Sequence, residues 1–298
     1  MDSATLPNFF ILGAAKAGTT SLYDLLRQHP EVYLSFDKEP MFFSRDDYFA
    51  RGKEWYGRTY FNEGRSFPLR GEATPHYLYW AEKVSARLKQ VYGDEPVKFI
   101  VILREPVQRA HAWYWNMVKE GQETLPFVAA LKAEEQRIAA DWAELESHGS
   151  MRYGYFRGGR YASQIRAYLN DFPMEHFHIL LLEDLQRDPA AALKKISAFL
   201  GVQADFEFKP VQSNASAAPR SRGLHQLIRR PSQVKGLAKH LMPFHLRHRL
   251  KTLLLKLNQR EFQYPEIEAD AYQYLKSRFA PEIPELSALI QRDLSGWS

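Results

Sequence analysis

The sequence predicts an α/β fold built on a doubly wound parallel sheet, and two observations lead to this class. Apolar residues run almost without interruption through residues 8–12, 98–103 and 178–182, as is typical of strands buried on both faces of a parallel sheet. Each run is followed by a loop and a segment with helical spacing. Because these strand–loop–helix units repeat without a break in composition, we expect a single domain over residues 1–298. Its last part, residues 209–298, is predicted to be basic and mainly helical.

The first half of the chain begins with the strand at residues 8–12. A helix is predicted at residues 19–28 because leucines recur there at helical spacing, and Pro30 prevents its continuation. The further predictions for this half are a short strand at residues 32–34, short helices in the aromatic-rich residues 48–61, and a turn at residues 71–75.

The second half begins with the strand at residues 98–103, and a helix is predicted to follow it at residues 107–118. The remaining predicted elements are helices at residues 127–147 and 161–170, a strand at residues 178–182, a helix at residues 189–200 closed by Gly201, and, after residue 212, a loop followed by basic helices.

Composition excludes several classes of protein. The chain of 298 residues contains no cysteine, so disulfides, thiolate metal sites and cysteine nucleophiles are ruled out. No apolar run approaches the roughly 20 residues that a spanning helix needs, and no basic segment precedes the first apolar run as in a secretory signal. We therefore expect a cytoplasmic protein.

The positive charge is concentrated in one segment. Residues 209–260 contain twelve Lys and Arg, four His and no carboxylate, whereas the rest of the chain has 28 Lys and Arg against 35 Asp and Glu. Such a segment suits an anionic cofactor, an anionic substrate or peripheral contact with an anionic surface, or it is a solvated helical face. We do not expect nucleic acid as the partner, because no nucleic-acid-binding motif accompanies the charge.

The loop after the first strand carries the strongest functional signal. A short strand, a loop between Gly13 and Gly18, and a helix that opens on hydroxyl residues form the layout of a phosphate-binding loop. The Gly-x4-Gly spacing fits a nucleotide triphosphatase, but Thr19 occupies the position where that motif requires lysine. The lysine lies inside the loop, at Lys16. This arrangement points away from ATP hydrolysis and toward another anionic nucleotide.

Arg104 directly follows the strand at residues 98–103. Ligands of open α/β sheets bind at the carboxyl ends of the strands, where an arginine offers a planar fork for phosphate. A triphosphatase would carry a magnesium-binding aspartate here, so both triphosphatase markers are absent together. A salt bridge at the helix start is the structural alternative for Arg104. Arg109, further along, is interpreted as structural.

Several segments taken together resemble the sulfotransferase superfamily, in the order seen in the branch of heparan sulfate sulfotransferases and bacterial homologues. The segments are GAAKAGTTSLYDLL, KEPMFF, GEATPHYL, FIVILREPVQRAHAWYW, GRYASQI, LLLEDLQRDP, FLG and NASAAPRSR. They cover roughly residues 9–222, and the first loop and LREPVQRA are the most specific. The resemblance implies the cofactor 3′-phosphoadenosine 5′-phosphosulfate (PAPS), with 3′-phosphoadenosine 5′-phosphate (PAP) as product, and no metal.

The resemblance also implies which residues bind this nucleotide. The P-loop-like segment would be the phosphosulfate-binding loop, and its contacts would come from Lys16, Ala17, Gly18, Thr19, Thr20 and Ser21. Arg104 would hold the 3′-phosphate, but the family's second ligand of that phosphate, a serine, is replaced here by Ala112. Arg220, Ser221 and Arg222 resemble the family's basic loop that closes over the same phosphate. The alternative is that they form a basic loop with no such role. Tyr161 could contact the adenosine or belong to the core.

The chemistry of sulfuryl transfer needs a cation near the bridging oxygen and a base for the acceptor proton. By resemblance, Lys16 is the electrophilic stabiliser and Glu39 in the KEPMFF segment is the general base. His76 is the alternative base, because cytosolic relatives use histidine. Met41 stands where many relatives carry histidine. Ala73 replaces a lysine of the heparan-type enzymes, which suggests an acceptor unlike a heparan chain.

The function predicted is sulfuryl transfer to a hydroxyl, or less readily an amine, of a carbohydrate, lipid or other small molecule. Aromatic side chains at residues 48–60 and 113–115 could line the acceptor pocket or simply pack in the core. Two alternatives stay open. One is a nucleotide or small-molecule kinase with an irregular phosphate loop, and the other is a non-catalytic module that binds anions through residues 209–260. The oligomeric state is not predicted.

Overall fold

The structure is a computed structural model that describes residues 5–140, 150–211, 217–219 and 259–297. The chain divides into two compact units. The first consists of residues 1–114, 125–211 and 267–298, and the second of residues 115–124 and 212–266. The prediction of a single domain over residues 1–298 stays a prediction.

The first unit is built on a sheet of five parallel strands in the order β2-β3-β1-β4-β5. These strands are β1 (Phe9–Gly13), β2 (Val32–Leu34), β3 (Leu69–Ala73), β4 (Lys98–Leu103) and β5 (Phe177–Leu181). Strand β1 is central, since it pairs with β3 on one side and with β4 on the other, and all five of its residues are buried. The predicted α/β class with a doubly wound parallel sheet is confirmed.

Helices lie between the strands of this sheet along the chain and after the last of them. They are α1 (Thr19–Leu26), α2 (Asp46–Phe49), α3 (Gly52–Tyr60), α4 (Ala81–Tyr92), α5 (Pro106–Lys119), α6 (Phe127–Ala140), α7 (Tyr161–Leu169), α8 (Leu182–Arg187), α9 (Pro189–Leu200), α10 (Ala269–Phe279) and α11 (Glu282–Ile290). In α9, the Asp188 side chain accepts from the Ala191 amide and Pro189 occupies the first turn, so the helix start is well specified. Gly201 ends this helix in a left-handed conformation, as predicted.

The last two helices pack within the first unit. Glu282 and Glu285 of α11 pair with Arg160 and Arg166, which lie at the start and within α7. Phe279 at the end of α10 approaches Gly159 so closely that a Cβ atom there would lie 2.7 Å from the ring. This agrees with the predicted helical C-terminal part over the residues that the structure describes.

The second unit contains a two-stranded antiparallel sheet, in which β6 (Ala217–Pro219) pairs with β7 (Gln259–Glu261). Within the same unit, the Lys119 ammonium lies 5.2 Å from the ring centre of Phe262 and 5.3 Å from that of Tyr264. None of the helices in the described ranges is both long enough and apolar enough to cross a membrane.

One predicted element is wrong. Residues 71–75 were expected to form a turn, but residues 71–73 belong to β3, next to the central strand. The sequence LRGEA does not indicate a buried strand, because glycine, glutamate and alanine occupy its buried positions instead of large apolar residues. Gly71 makes room for the Phe9 ring, and the Glu72 carboxylate is satisfied by hydroxyl groups.

Other boundaries differ slightly. Helix α4 was not predicted, and β5 begins one residue before the predicted range. Helix α6 follows the prediction to residue 140, and the remainder of the predicted range, residues 141–149, lies outside the described residues. The loop and most of the basic helices predicted after residue 212 also lie outside them.

Gly71 offers a test of this packing. A Cβ atom at this position would lie 2.3 Å from Cζ of Phe9, whose side chain is fully buried and has no room to withdraw. We expect Gly71→Ala to lower the free energy of unfolding by about 1–3 kcal/mol, as for other overpacked cores. Urea unfolding measures this change. Gly296→Ala, where nothing lies within 4 Å of the added atom, is the control, and equal stability of the two variants would contradict the packing described.

Candidate functional site

The loop between β1 and α1 is shaped by close backbone approaches. Gly18 adopts the left-handed conformation with φ of 93°, and a Cβ atom there would lie 2.8 Å from Cδ1 of Leu182. Gly13 lies equally close to Leu78, with 2.7 Å between the hypothetical Cβ and Cβ of Leu78. Lys16 also has a positive φ of 71°, which costs a residue with a side chain about 1–2 kcal/mol. The glycines therefore permit a compact turn that holds Lys16 in a fixed backbone conformation.

The start of α1 leaves amide groups available for an anion. Within the described part of the chain, no carbonyl or side-chain oxygen accepts a hydrogen bond from the amides of Gly18, Thr19, Thr20 or Ser21. Such amides carry the positive end of the helix dipole and are suited to phosphate or sulfate groups. The residues present therefore fit a phosphosulfate group, and their predicted contacts with it stay predictions.

Arg104 lies beside this loop. It directly follows β4, the neighbour of β1, and its Nη1 atom donates to the Lys16 carbonyl oxygen at 3.2 Å. The Tyr161 hydroxyl donates in turn to the Arg104 carbonyl oxygen at 2.9 Å, and its side chain is buried. Burial raises the pKa of Tyr161, so the phenol remains a neutral donor. Tyr161 thus supports the backbone of Arg104, and its predicted contact with adenosine stays a prediction.

The segment with Glu39 reaches α1 through a residue that the sequence prediction left without a role. The Lys38 ammonium donates to Oγ1 of Thr20 at 2.6 Å and lies 3.4 Å from Oε1 of Glu39. The two side chains are 24% and 29% exposed, so the Glu39 carboxylate remains accessible to an acceptor. The position of Lys38 directly before Glu39 was a signal for its pairing with Glu39 but not for its contact with Thr20.

The backbone of this segment is unusual. Glu39 and Met41 both have left-handed conformations, with φ of 68° and 59°, on either side of the buried Pro40. Non-glycine residues in this region are uncommon and persist where the surrounding structure holds them in place.

Glu72 is a second carboxylate near this segment, and sequence reasoning missed it because it lay in a predicted turn. Its side chain is fully buried and accepts hydrogen bonds from the hydroxyls of Tyr56, Thr74 and Tyr77. Burial raises its pKa to about 7, while the three hydrogen bonds act in the opposite direction and the negative charge of Glu39 adds to the rise.

His76, the alternative base, is half-buried, and its ring centre lies 6.1 Å from that of Trp113. Removal from water lowers the pKa of His76, the charge of Glu39 opposes this change, and the charge of Lys38 adds to it. The charge of one predicted base, Glu39, therefore acts on the pKa of the other, His76.

The predicted 3′-phosphate site is described only in part. Ala112 is buried in α5, and burial followed by the charge of Arg104 lowers the pKa of the adjacent His111 to about 4. At neutral pH this histidine is therefore uncharged. Arg220, Ser221 and Arg222 lie outside the described residues. Arg109, interpreted as structural, is 2% exposed and donates to the carbonyl oxygens of Gly154 and Tyr155.

Together these residues form a candidate anion site at a helix start, with a lysine and an arginine in adjoining segments and a carboxylate on a neighbouring one. Among the described residues, no group of three or more His, Cys, Asp or Glu side chains could hold a metal ion. The arrangement can bind an anionic group through amides and cations and can accept a proton through Glu39.

Comparisons with known proteins agree with this geometry. A family model described as “Sulfotransferase domain” matches residues 6–218. A crystal structure of a sulfotransferase from Alicyclobacillus acidocaldarius is 30% identical and has a TM-score of 0.71, with 98% of each chain covered. The mouse heparan sulfate glucosamine 3-O-sulfotransferase 5 is 30% identical over 66% of this chain and 54% of its own length.

A human relative, the bifunctional heparan sulfate N-deacetylase/N-sulfotransferase 3, is 25% identical over 96% of this chain and 30% of its own length. The chain therefore spans about half the length of the mouse relative and less than a third of the human one. The predicted resemblance to the heparan sulfate branch is confirmed.

The pKa of Glu72 predicts a pH dependence of stability. Since the folded-state pKa of about 7 lies above the usual value of 4.5, the folded protein binds a proton that the unfolded chain releases between these pH values. Glu72 should therefore stabilise the fold below pH 4.5 and lose about 3 kcal/mol of that contribution as the pH rises through 7. The difference in unfolding free energy between the wild type and Glu72→Gln should fall by this amount across the range.

Urea unfolding at several pH values measures this difference. His111 has the opposite effect, because its lowered pKa reduces stability as the pH falls from 6.5 to about 4. Comparison with Glu72→Gln cancels this contribution, since both proteins contain His111. A difference that does not change with pH would contradict the raised pKa of Glu72.

Proposed function

The chain belongs to the sulfotransferase domain family, and from this membership we propose that it transfers a sulfuryl group from PAPS to a hydroxyl or amine acceptor. The observation that carries the proposal is the group of four open amides at the start of α1, next to Lys16 and Arg104. A triphosphate-hydrolysing loop would have a lysine at position 19, and this chain has threonine there.

The chain's own residues have distinct roles in this proposal. The amides of residues 18–21 and the Lys16 ammonium bind the phosphosulfate end, and Arg104 binds the 3′-phosphate end while it braces the Lys16 carbonyl. The nucleotide supplies the sulfuryl group when it is bound. Because the donors are fixed by the fold before binding, they need little reorganisation to stabilise negative charge on the leaving phosphate.

Glu39 is proposed as the general base that takes the proton of the acceptor. Its carboxylate is partly exposed, and the Lys38 ammonium links it to Thr20 at the start of α1. A proton acceptor must lie within hydrogen-bond reach of the reacting group, which a segment joined to the anion-binding helix permits. His76 is the alternative base in the same neighbourhood.

A carbohydrate is the acceptor class that the relatives favour, since two of them are named for heparan sulfate or its glucosamine units. Ala73 and Met41 differ from the residues predicted for heparan-type enzymes, so a different glycan, a lipid or a phenol is a reasonable comparison in an acceptor screen. The cytoplasmic location and the peripheral contact with an anionic surface stay predictions.

Nucleotide binding tests the first part of the proposal. We expect PAP to bind without any metal ion, and Lys16→Ala and Arg104→Ala each to weaken binding by about tenfold or more, because a hydrogen bond to a charged group contributes about 1.5–3 kcal/mol. Isothermal titration calorimetry measures these affinities. Lys89→Ala is the matched control, since Lys89 is exposed and pairs with Asp94. Binding of ATP with magnesium but not of PAP would favour the kinase alternative.

Turnover tests the second part. With PAPS and glucosamine-containing oligosaccharides as the first acceptor probe, Glu39→Gln should lower kcat by about 10²–10⁴-fold, the usual contribution of a general base. Its affinity for PAP should be unchanged. The release of PAP measures the rate, and His76→Asn is the comparison. A large loss in His76→Asn with full activity in Glu39→Gln would instead assign His76 as the base.

A further inference from the structure

Glu72 has surroundings that are unusual for a buried acid. None of the described residues forms a salt bridge with its carboxylate, and its hydrogen-bond donors are the three hydroxyls of Tyr56, Thr74 and Tyr77. The other titratable groups that act on it electrostatically are Glu39 and the phenols of Tyr60, Tyr92 and Tyr168. A buried acid without a cation lowers stability when it ionises, so its presence calls for a role beyond packing.

Two of the three hydroxyls also accept a hydrogen bond from the backbone of the segment that carries Glu39. Oγ1 of Thr74 donates to Oε2 of Glu72 at 2.7 Å and accepts from the Met41 amide at 3.4 Å. The Tyr77 hydroxyl donates to Oε1 of Glu72 at 3.0 Å and accepts from the Phe43 amide at 3.1 Å. Two relays therefore join one buried carboxylate to two amides, which lie two and four residues after Glu39.

The carboxylate determines the direction of these hydrogen bonds. Above its pKa of about 7, the Glu72 carboxylate is ionised and only accepts, whereas a hydroxyl has one hydrogen to donate and lone pairs that accept. Since both hydroxyls donate their hydrogen to Glu72, their lone pairs are directed to the amides of Met41 and Phe43. An amide side chain at position 72 also has donor hydrogens, so it would not impose the same direction on every hydroxyl.

The anchored segment needs such support because of its backbone. Glu39 and Met41 both have left-handed conformations, each of which costs about 1–3 kcal/mol that neighbouring contacts must offset. The Met41 relay bonds one of these residues directly, and the Phe43 relay fixes the chain two residues later. Without the relays, the turn at Pro40 would lose two of the hydrogen bonds that hold it, which would let the Glu39 carboxylate move.

We propose that Glu72 is a positioning residue for Glu39, acting through Thr74 and Tyr77 on the backbone of residues 39–43. The inference rests on the proposed function, in which Glu39 accepts the proton of the acceptor. Glu72 itself is fully buried, so its effect on Glu39 passes through these two neighbours.

Three variants interrupt the relays at different points. Glu72→Gln replaces one of the two acceptor oxygens with an amide group that donates, Thr74→Val removes the relay to Met41, and Tyr77→Phe removes the relay to Phe43. The matched control is Tyr56→Phe, because the Tyr56 hydroxyl also donates to Oε1 of Glu72 but bonds no amide of the segment. The Tyr56 ring stacks on Phe42 with centroids 4.3 Å apart, and phenylalanine preserves this contact.

Hydrogen–deuterium exchange of peptides that cover residues 38–45 tests the positioning without any acceptor. We expect exchange to become about tenfold faster in the three relay variants, as for the loss of a hydrogen bond in a network around a charge, and to remain at the wild-type rate in Tyr56→Phe. Equal exchange in all four variants and the wild type would overturn the inference. If Glu72→Gln does not fold, the two single-relay variants decide the question.

Calorimetry with PAP and turnover with PAPS extend the test to function. The relay variants should lose kcat about tenfold or more while their affinity for PAP stays at the wild-type value, and Tyr56→Phe should retain kcat. A loss of kcat in Tyr56→Phe as large as in Glu72→Gln would show a merely structural role. If wild-type protein fails to bind PAP, the proposed function fails, while the exchange experiment still decides whether Glu72 holds the segment.

Discussion

The candidate site depends on the pairing of β1 with β3 and β4, which brings three strand ends to one edge of the sheet. Phe9 is in register with Gly71 of β3 on one side and with Lys98 of β4 on the other. Because the three strands are parallel, the loop after Gly13, the residues after Ala73 and Arg104 after β4 emerge at the same edge. The anion site, the relays from Glu72 and the arginine that braces the loop all follow from this arrangement.

Much of this site could be predicted from sequence because its features are local. The glycine spacing, the hydroxyls at the helix start and an arginine after an apolar strand are each contained in a few consecutive residues, so Lys16, Thr20 and Arg104 were identified with β1 and β4. The role of Lys38 was not predicted, because its contact with Thr20 joins residues that are 18 positions apart in the sequence. The strand with Glu72 was missed for a different reason. This strand can be buried because Gly71 leaves room for the Phe9 ring and because hydroxyl groups satisfy the Glu72 carboxylate. Neither residue contributes to an apolar pattern in the sequence.

Two buried ionisable groups near the site have opposite shifts in pKa for the same physical reason. Burial favours the neutral form, so it raises the pKa of Glu72 to about 7 and lowers that of His111 to about 4. The positive charge near the loop between β1 and α1 therefore comes from Lys16, Lys38 and Arg104, and the neighbouring histidines add little at neutral pH. The site is thus positive where the anion would bind and has its carboxylates on the side of the Glu39 segment.

The outer strand β2 has a consequence for association between molecules. It contains only three residues, Val32–Leu34, and forms one end of the five-stranded sheet. The outermost strand of a sheet exposes a row of unpaired amides and carbonyls on which another chain can add a strand, which is a common start of aggregation. A strand this short offers few such groups, so its brevity protects the parallel sheet from edge-to-edge growth at that end.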